Sequence, residues 1–269
     1  MIAKLEVRRD EGPRRAARGR ILGRRFAAAG FLAGLLLAPL SVSAAGWSFE
    51  PEIGVAFPYS NDVRIPGQGG TDFSLTDELT PEKEFVWRVR LGTRFGDKHL
   101  LSVLAAPLRL QSNGYTSRPV LFEGVTYQPS EFVTATWRFD SYRLTYRYQF
   151  HESTWLRVGF GVTAKIRDAA IRIQSVSSVT EKKNTGFVPL LHFRVEAALA
   201  WSTSLLVEGD ALAAPQGRAE DVLAALEWHV APQLGLRVGY RLHEGGADND
   251  EVYNFALVQY AVAGLRVDF

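Results

Sequence analysis

Arginines and acids recur at every second position in several stretches of this 269-residue chain. Arg88 and Arg90 do so in "FVWRVRLGTRF", Glu50 and Glu52 in "WSFEPEIGVAF", His192, Arg194 and Glu196 in "LLHFRVEAA", and Glu208 and Asp210 in "VEGDA". A period of two is that of a β-strand, so each set shares one face. Followed strand by strand, this face gathers Arg88, Arg90, Arg94, Arg109, Arg143, Arg147, Arg157, Lys165 and Arg167 into a basic wall. A second, more acidic wall holds Glu50, Glu52, Glu196, Glu208, Asp210, Glu227 and Asp268, interspersed with His192, Arg194, Arg237, Arg241 and Arg266. Two chemistries fit such walls. Buried charges must pair and hydrogen-bond, which gives a salt-bridge plug. If the walls stay apart, the field between them selects small polar or charged solutes in a narrow passage.

A third chemistry is hydrolytic. His243, Glu244, Asp248, Asp250 and Glu251 lie close in sequence, with His192 and Asp210 expected deeper, and a histidine beside carboxylates can act as a general base. No serine has a matching histidine partner, and "GGADNDE" reads first as a solvated turn. Its acids lack the spacing of an EF-hand. The chain has no cysteine, so disulfides and thiolate metal sites are excluded. No cofactor and no metal is expected. His99, His151 and His229 fall at or near short turns and read as ordinary polar residues.

The elements that must carry these residues are strands. After Ala45 no long stretch has a helical period, while apolar residues alternate with polar ones almost everywhere. Ten strands are predicted, at 47–58, 84–95, 98–112, 132–150, 155–174, 187–201, 205–214, 222–231, 233–245 and 253–269, with eight or twelve as the alternatives. Each is long enough to cross a bilayer at a tilt. Short connections ("FGDKH", "HEST", "STS", "APQ") alternate with long or polar ones at 58–84, 112–131, 175–186, 215–221 and 244–252. Trp47, Trp155, Trp201 and Trp228 gather toward the short turns, and Trp87, Trp137, Tyr142, Tyr240, Tyr253 and Phe255 toward the long loops. Two aromatic girdles are the expected result. A soluble sandwich would instead be apolar inside and polar outside.

Three finer expectations follow. A turn centred on "STS" sets Glu196 opposite Asp210, a like-charge pair in need of relief. One centred on "APQ" sets Glu227 opposite Arg237 as an ion pair. The apolar parity changes near Asp140 and Asp168, which predicts paired β-bulges there, points both acids inward, and lets two strands rise as an outer ribbon with 118–127.

Residues 1–44 differ from the rest. Arg8, Arg9, Arg14, Arg15, Arg18, Arg20, Arg24 and Arg25 precede the apolar run "FAAAGFLAGLLLAPL", and Val42 and Ala44 occupy the −3 and −1 positions of a cleavage site. This is the layout of a secretory signal peptide, with the domain proper at 45–269. The leader holds nine of the 31 basic and three of the 29 acidic groups, which leaves 22 against 26 and a net charge of −4. A basic nucleic-acid footprint is therefore absent from 45–269.

The leader, the alternating strands, the unequal connections and the ending "YAVAGLRVDF" together resemble bacterial outer-membrane β-barrel proteins. The stretches "NDVRIPG", "AKIRDAAIRI" and "GGADNDEVYNFA" resemble a subgroup of such barrels and carry over no catalytic residue. The resemblance implies an antiparallel all-β transmembrane barrel in the outer membrane of a Gram-negative bacterium, with both termini periplasmic. Its partners would be outer-membrane lipid, lipopolysaccharide and, during biogenesis, the barrel-assembly machinery. In that family Phe269, Val267 and Leu265 would be the assembly signal. The expected role is a monomeric, non-enzymatic structural or binding barrel or a narrow porin-like pore. The alternative is a surface enzyme hydrolysing lipid A or peptide at a rim His/carboxylate site. The leader yields a first prediction: N-terminal sequencing of the exported protein should begin at Ala45, and a retained leader would mean a membrane anchor instead.

Overall fold

The computed structural model of the chain describes residues 46–214 and 217–269, and the expected leader lies outside them. Ten long antiparallel strands form a closed ring, as the alternation predicts. In ring order they are β1 (Gly46–Arg64), β4 (Glu84–Phe95), β5 (His99–Ala106), β9 (Phe132–Glu152), β10 (Leu156–Gln174), β11 (Val179–Ala198), β12 (Thr203–Ala214), β13 (Gly217–Ala231), β14 (Leu234–Asp248) and β15 (Tyr253–Asp268). β15 pairs back onto β1 from Ser48↔Asp268 to Arg64↔Tyr253, and the Phe269 N–H donates to the Trp47 carbonyl at 2.8 Å. Closure leaves no open edge around the ring's lower half, the condition a strand protein must meet in hydrocarbon.

The exterior is apolar. Ile53, Val55, Phe85, Leu91, Val103, Leu144, Phe160, Val162, Leu205, Leu226, Val238 and Leu265 are all exposed there, while the charged residues of alternate positions are buried inside. This is the inverse of a water-soluble sandwich and suits a bilayer. Trp155, Trp201, Trp228 and Phe269 stand exposed at the rim of short turns, and Trp87, Tyr142, Tyr240 and Phe187 ring the opposite, loop rim. Trp137 departs from its girdle: it is buried, faces inward, and donates its indole N–H to Asn254 Oδ1 at 3.0 Å.

The bulges expected near Asp140 and Asp168 do not form. Pairing of β9 with β10 runs without a shift from Gly159↔Gln149 to Gln174↔Thr134, and odd residues face inward throughout. What changes is the chemistry of that inward face. Toward the turn rim it is polar (Ser141, Arg143, Thr145, Arg147; Thr163, Lys165, Arg167), and toward the loop rim it is apolar (Val133, Ala135, Trp137, Phe139; Ala169, Ile171, Ile173). Outside the bilayer the barrel wall is wetted on its outer face, so its apolar side turns inward like that of any soluble sheet. Asp140 and Asp168 keep the outward parity. Asp140 accepts the Leu108 N–H at 3.2 Å, and Asp168 pairs with Arg138 at 3.0 Å. A register shift lies instead in β1 between Pro58 and Ser60.

Strands also run further than expected at the loop rim. β1 reaches Arg64, β11 starts at Val179, β13 starts at Gly217 and β14 reaches Asp248. The expected strand 98–112 is split by Pro107. Its continuation β6 (Arg109–Tyr115) keeps the same register against β9, Ala106↔Ser141 becoming Arg109↔Arg138. Above the bilayer an apolar core of Val63, Ile65, Phe73, Leu75, Val133 and Ile173 is closed by the segment 65–83, with β2 (Phe73–Ser74) and β3 (Thr80–Pro81), and by the hairpin β7 (Val120–Phe122) and β8 (Val125–Tyr127). Tyr127 Oη donates to the Ile173 carbonyl at 2.8 Å and lies 2.7 Å from Thr180 Oγ1. Burial pushes that hydroxyl above the usual tyrosine pKa.

Val162 lies near the middle of the apolar band and faces out. Val162→Arg should therefore cost about 2–4 kcal/mol of unfolding free energy in lipid vesicles. A loss below about 0.5 kcal/mol, the ordinary surface range, would remove Val162 from the lipid face.

Candidate functional site: a charged lumen below a rim cavity

Alternate positions of nine strands send charged side chains into the lumen, and three acids organise its upper layer. Asp221 on β13 accepts from Arg88 (β4) at 2.9 Å, Arg143 (β9) at 2.5 Å and Arg241 (β14) at 2.6 Å. Glu52 (β1) is gripped by Arg241 through two bonds of 3.0 Å. Asp210 (β12) accepts from Arg143 at 2.6 Å, Thr163 Oγ1 at 2.7 Å and His192 Nδ1 at 2.9 Å. Since Thr163 gives its proton to Asp210, Thr145 donates to Thr163 across 2.8 Å. The His192 tautomer follows from the same bond, with the proton on Nδ1. Three acids here meet three arginines.

A second layer lies toward the turn rim. Glu208 accepts from Arg194 at 2.5 Å and from Arg90, and Glu50 accepts from Arg237 at 2.8 Å. Glycines make room for these arms. A Cβ at Gly159 would stand 2.8 Å from Arg147 Cδ, and one at Gly264 would stand 2.8 Å from Arg237 Nε. At the turn rim itself Glu196 pairs with Arg157 at 3.2 Å, and Arg266 lies 4.0 Å from Glu227. His229, expected as an ordinary turn residue, hydrogen-bonds Ser204 Oγ at 3.1 Å and stands 3.7 Å from Glu196. Asp221, Glu52, Asp210, Arg143 and Glu227 are all at most 5% exposed, so these side chains are packed against one another inside the ring.

Above the plug a cavity of about 830 Å³ opens toward the loop rim. Lys165 and Arg167 from β10 and His243 from β14 line it, together with Trp137, Phe139 and Ile171. The Lys165 ammonium stands 4.6 Å from the centre of the Phe139 ring.

A closed ring with lipid-facing apolar residues, aromatic rims and a polar interior can now be compared with solved structures. The outer membrane protease OmpT from Escherichia coli matches with a TM-score of 0.56 at 8% identity, over 85% of this chain and 99% of that one. The fold is that of an outer-membrane β-barrel. Neisserial surface protein A matches over 84% of this chain and all of its own, at 15% identity and a TM-score of 0.35. The Pseudomonas putida toluene transporter TodX matches over 84% of this chain and 91% of its own, at 9% identity and a TM-score of 0.36. No protein-family model matches the sequence, and no curated protein is significantly similar to it.

Within this outer-membrane barrel fold the expected lumen residues separate into groups. Arg88, Arg90, Arg143, His192, Arg194, Glu208, Asp210, Arg237 and Arg241 join the two layers of the plug, and Arg157, Glu196 and Glu227 lie below them. Arg147 points into the plug but has no acid within 4.0 Å among the described residues, and its Nε is buried without a partner. Lys165 and Arg167 face the cavity instead. Arg109 is a correction: it is exposed on the outer face of β6, because above the bilayer the polar face is the outward one.

Both predicted pairings also change. The turn after β11 uses positive φ at Trp201 and Ser202, two residues earlier than a turn centred on "STS". The register moves by four, and the pairs become His192↔Asp210 and Arg194↔Glu208 in place of two facing acids. Glu227 does lie opposite Arg237, yet the guanidinium reaches over β15 to Glu50 on β1. The rim residues considered for hydrolysis do not converge. His243 is buried inside, 3.9 Å from Asp221, while Glu244 holds Arg218, Asp250 holds Gln68 at 2.5 Å and Glu251 holds Lys182 at 3.6 Å. Asp248 is exposed. Sequence reasoning missed Asp221 by reading 215–221 as a loop, although stepping back by twos from Glu227 reaches it.

Asp221→Asn removes the charge shared by three buried arginines. It should cost about 3–5 kcal/mol, read from the denaturant midpoint in detergent, whereas Glu251→Gln on the exposed rim should stay within about 0.5 kcal/mol.

Proposed function

We propose that the chain is a non-enzymatic outer-membrane barrel, closed to solutes by its own charges, that acts through binding at the loop rim. One observation carries this reading: Arg88, Arg143 and Arg241 converge from three strands on the buried Asp221. Opening a water path through that layer would strip each arginine of its counter-charge, which is costly in a low-dielectric lumen. A barrel of about this strand number is filled by side chains in any case. The turn rim and the Phe269 end then face the periplasm, and the loop rim faces outward amid lipopolysaccharide. Phe269, Leu265 and Val267, on the outward face of β15, are the segment that the barrel-assembly machinery would read. The barrel is taken as a monomer, without cofactor or metal. The separate pairing of His243, Glu244, Asp250 and Glu251 supports the non-enzymatic reading.

Planar-bilayer recording of the purified protein decides between plug and pore. The expected outcome is a silent membrane. Stable unitary steps that vanish in Arg147→Gln or Arg157→Gln would establish a selective pore and overturn the plug.

A further inference from the structure

The cavity above the plug has two cations without counter-charge. Lys165 is only 1% exposed, yet it makes no hydrogen bond and has no acid within 4.0 Å among the described residues. Arg167, two residues on and on the same face of β10, bonds only the Asn184 side chain. The acids bordering the cavity are engaged elsewhere: Glu244 by Arg218, Asp250 by Gln68 and Glu251 by Lys182. Beneath Lys165, Asp210, Asp221 and Glu52 already hold the plug's arginines. A buried, unpaired ammonium is costly, and an anion brought in from outside would relieve it. Around these cations the wall is apolar, with Trp137, Phe139, Ile171 and Leu212.

The wall is also unpaired along part of one side. β11 pairs with β12 only over Leu191–Ala198, so residues 179–190 have no strand on that side among the described residues. Pro189, which lacks an N–H, lies in this free stretch, as expected of an edge. β12 and β13 are paired up to Ala214↔Gly217, and Leu212 and Gly217 border the cavity across this unpaired notch in the strand ladder. Phe187 and Leu191 flank the notch and are 67% and 63% exposed on the lipid side. The unpaired stretch therefore starts beside exposed apolar side chains of the outer face.

We propose that this cavity binds a single-headed anionic amphiphile, entering through the notch between β11 and the β12–β13 hairpin. The anionic head sits between Lys165 and Arg167, and the apolar body lies along Trp137, Phe139 and Ile171. A volume of about 830 Å³ suits one ligand of drug-like size and is small for a multi-chain lipid. This deepens the reading of a rim-binding barrel and rests on it for a closed floor.

The test uses the whole purified barrel in non-ionic detergent, titrated with 11-bromoundecanoate, whose bromine quenches tryptophan at close range. The expected result is a saturable quench whose saturable part disappears in Trp137→Phe. Lys165→Met and Arg167→Gln should each weaken apparent affinity about tenfold, the loss of one charge-assisted bond. The neutral 11-bromoundecanol should bind about tenfold more weakly than the acid for the same reason. Heat-modifiable gel mobility shows that each variant is folded. Equal affinity for acid and alcohol, unchanged binding in both cation variants, or a quench that persists without Trp137 would each overturn the proposal. Competition by inorganic phosphate alone would show a site for free anions and overturn the amphiphile. Silent bilayers with no bromoundecanoate binding would remove the ligand and leave the plug; conductance together with no binding would remove both.

Discussion

Charge neutrality among side chains buried inside the ring is the constraint on which the rest of this structure depends. Asp221 meets it most directly, drawing Arg88, Arg143 and Arg241 from three different strands onto one buried carboxylate. Glu52 and Asp210 share the same arginines, so six ring strands are tied together at one height. Such a network does not have to add net stability, since replacing buried ion pairs by apolar groups is often neutral. Its effect is on geometry. A one-residue slip of any strand would turn its charges to the hydrocarbon and its apolar residues to the plug, so the network and the bilayer reject the same errors.

The barrel is two cores stacked on one axis. Within the bilayer the inside is polar and the outside apolar; beyond it the same wall reverses, and the inside becomes an apolar core covered by the 65–83 segment and the β7–β8 hairpin. No backbone irregularity in β9 or β10 is needed, because the reversal is one of side-chain chemistry at constant parity. The cavity lies where the two regimes meet. Lys165 belongs by type to the lower core and by surroundings to the upper one, which is how it comes to be buried beside aromatic rings without an acid.

The match to a protease at 8% identity concerns architecture. Function on such a fold belongs to the site. Here the rim histidine and carboxylates are dispersed among separate partners, while unpaired cations collect at the cavity.

Strand number, the lipid-facing set and most of the plug were legible in the sequence, because alternation alone assigns a residue to a face and closure in lipid turns the polar face inward. Depth and partnership were not. Arg109 has the outward parity of Leu101 and Val103, and Trp137 has the inward parity of Arg143; each was misplaced by assuming that polar residues point inward along the whole strand, which fails above the bilayer. Glu196 and Asp210 were separated by where a positive-φ turn at Trp201 fell, a choice of two residues that local sequence leaves open. Glu227 faces Arg237 by register, yet the arginine found Glu50 on β1, one strand beyond β15, a contact that exists only once the ring is closed. The sequence by itself determined which side chains of a strand share a face. Only the tertiary structure decided which of them neutralise one another and which, like Lys165, are left facing a cavity, because ion pairing across a lumen depends on distances between strands far apart in the chain.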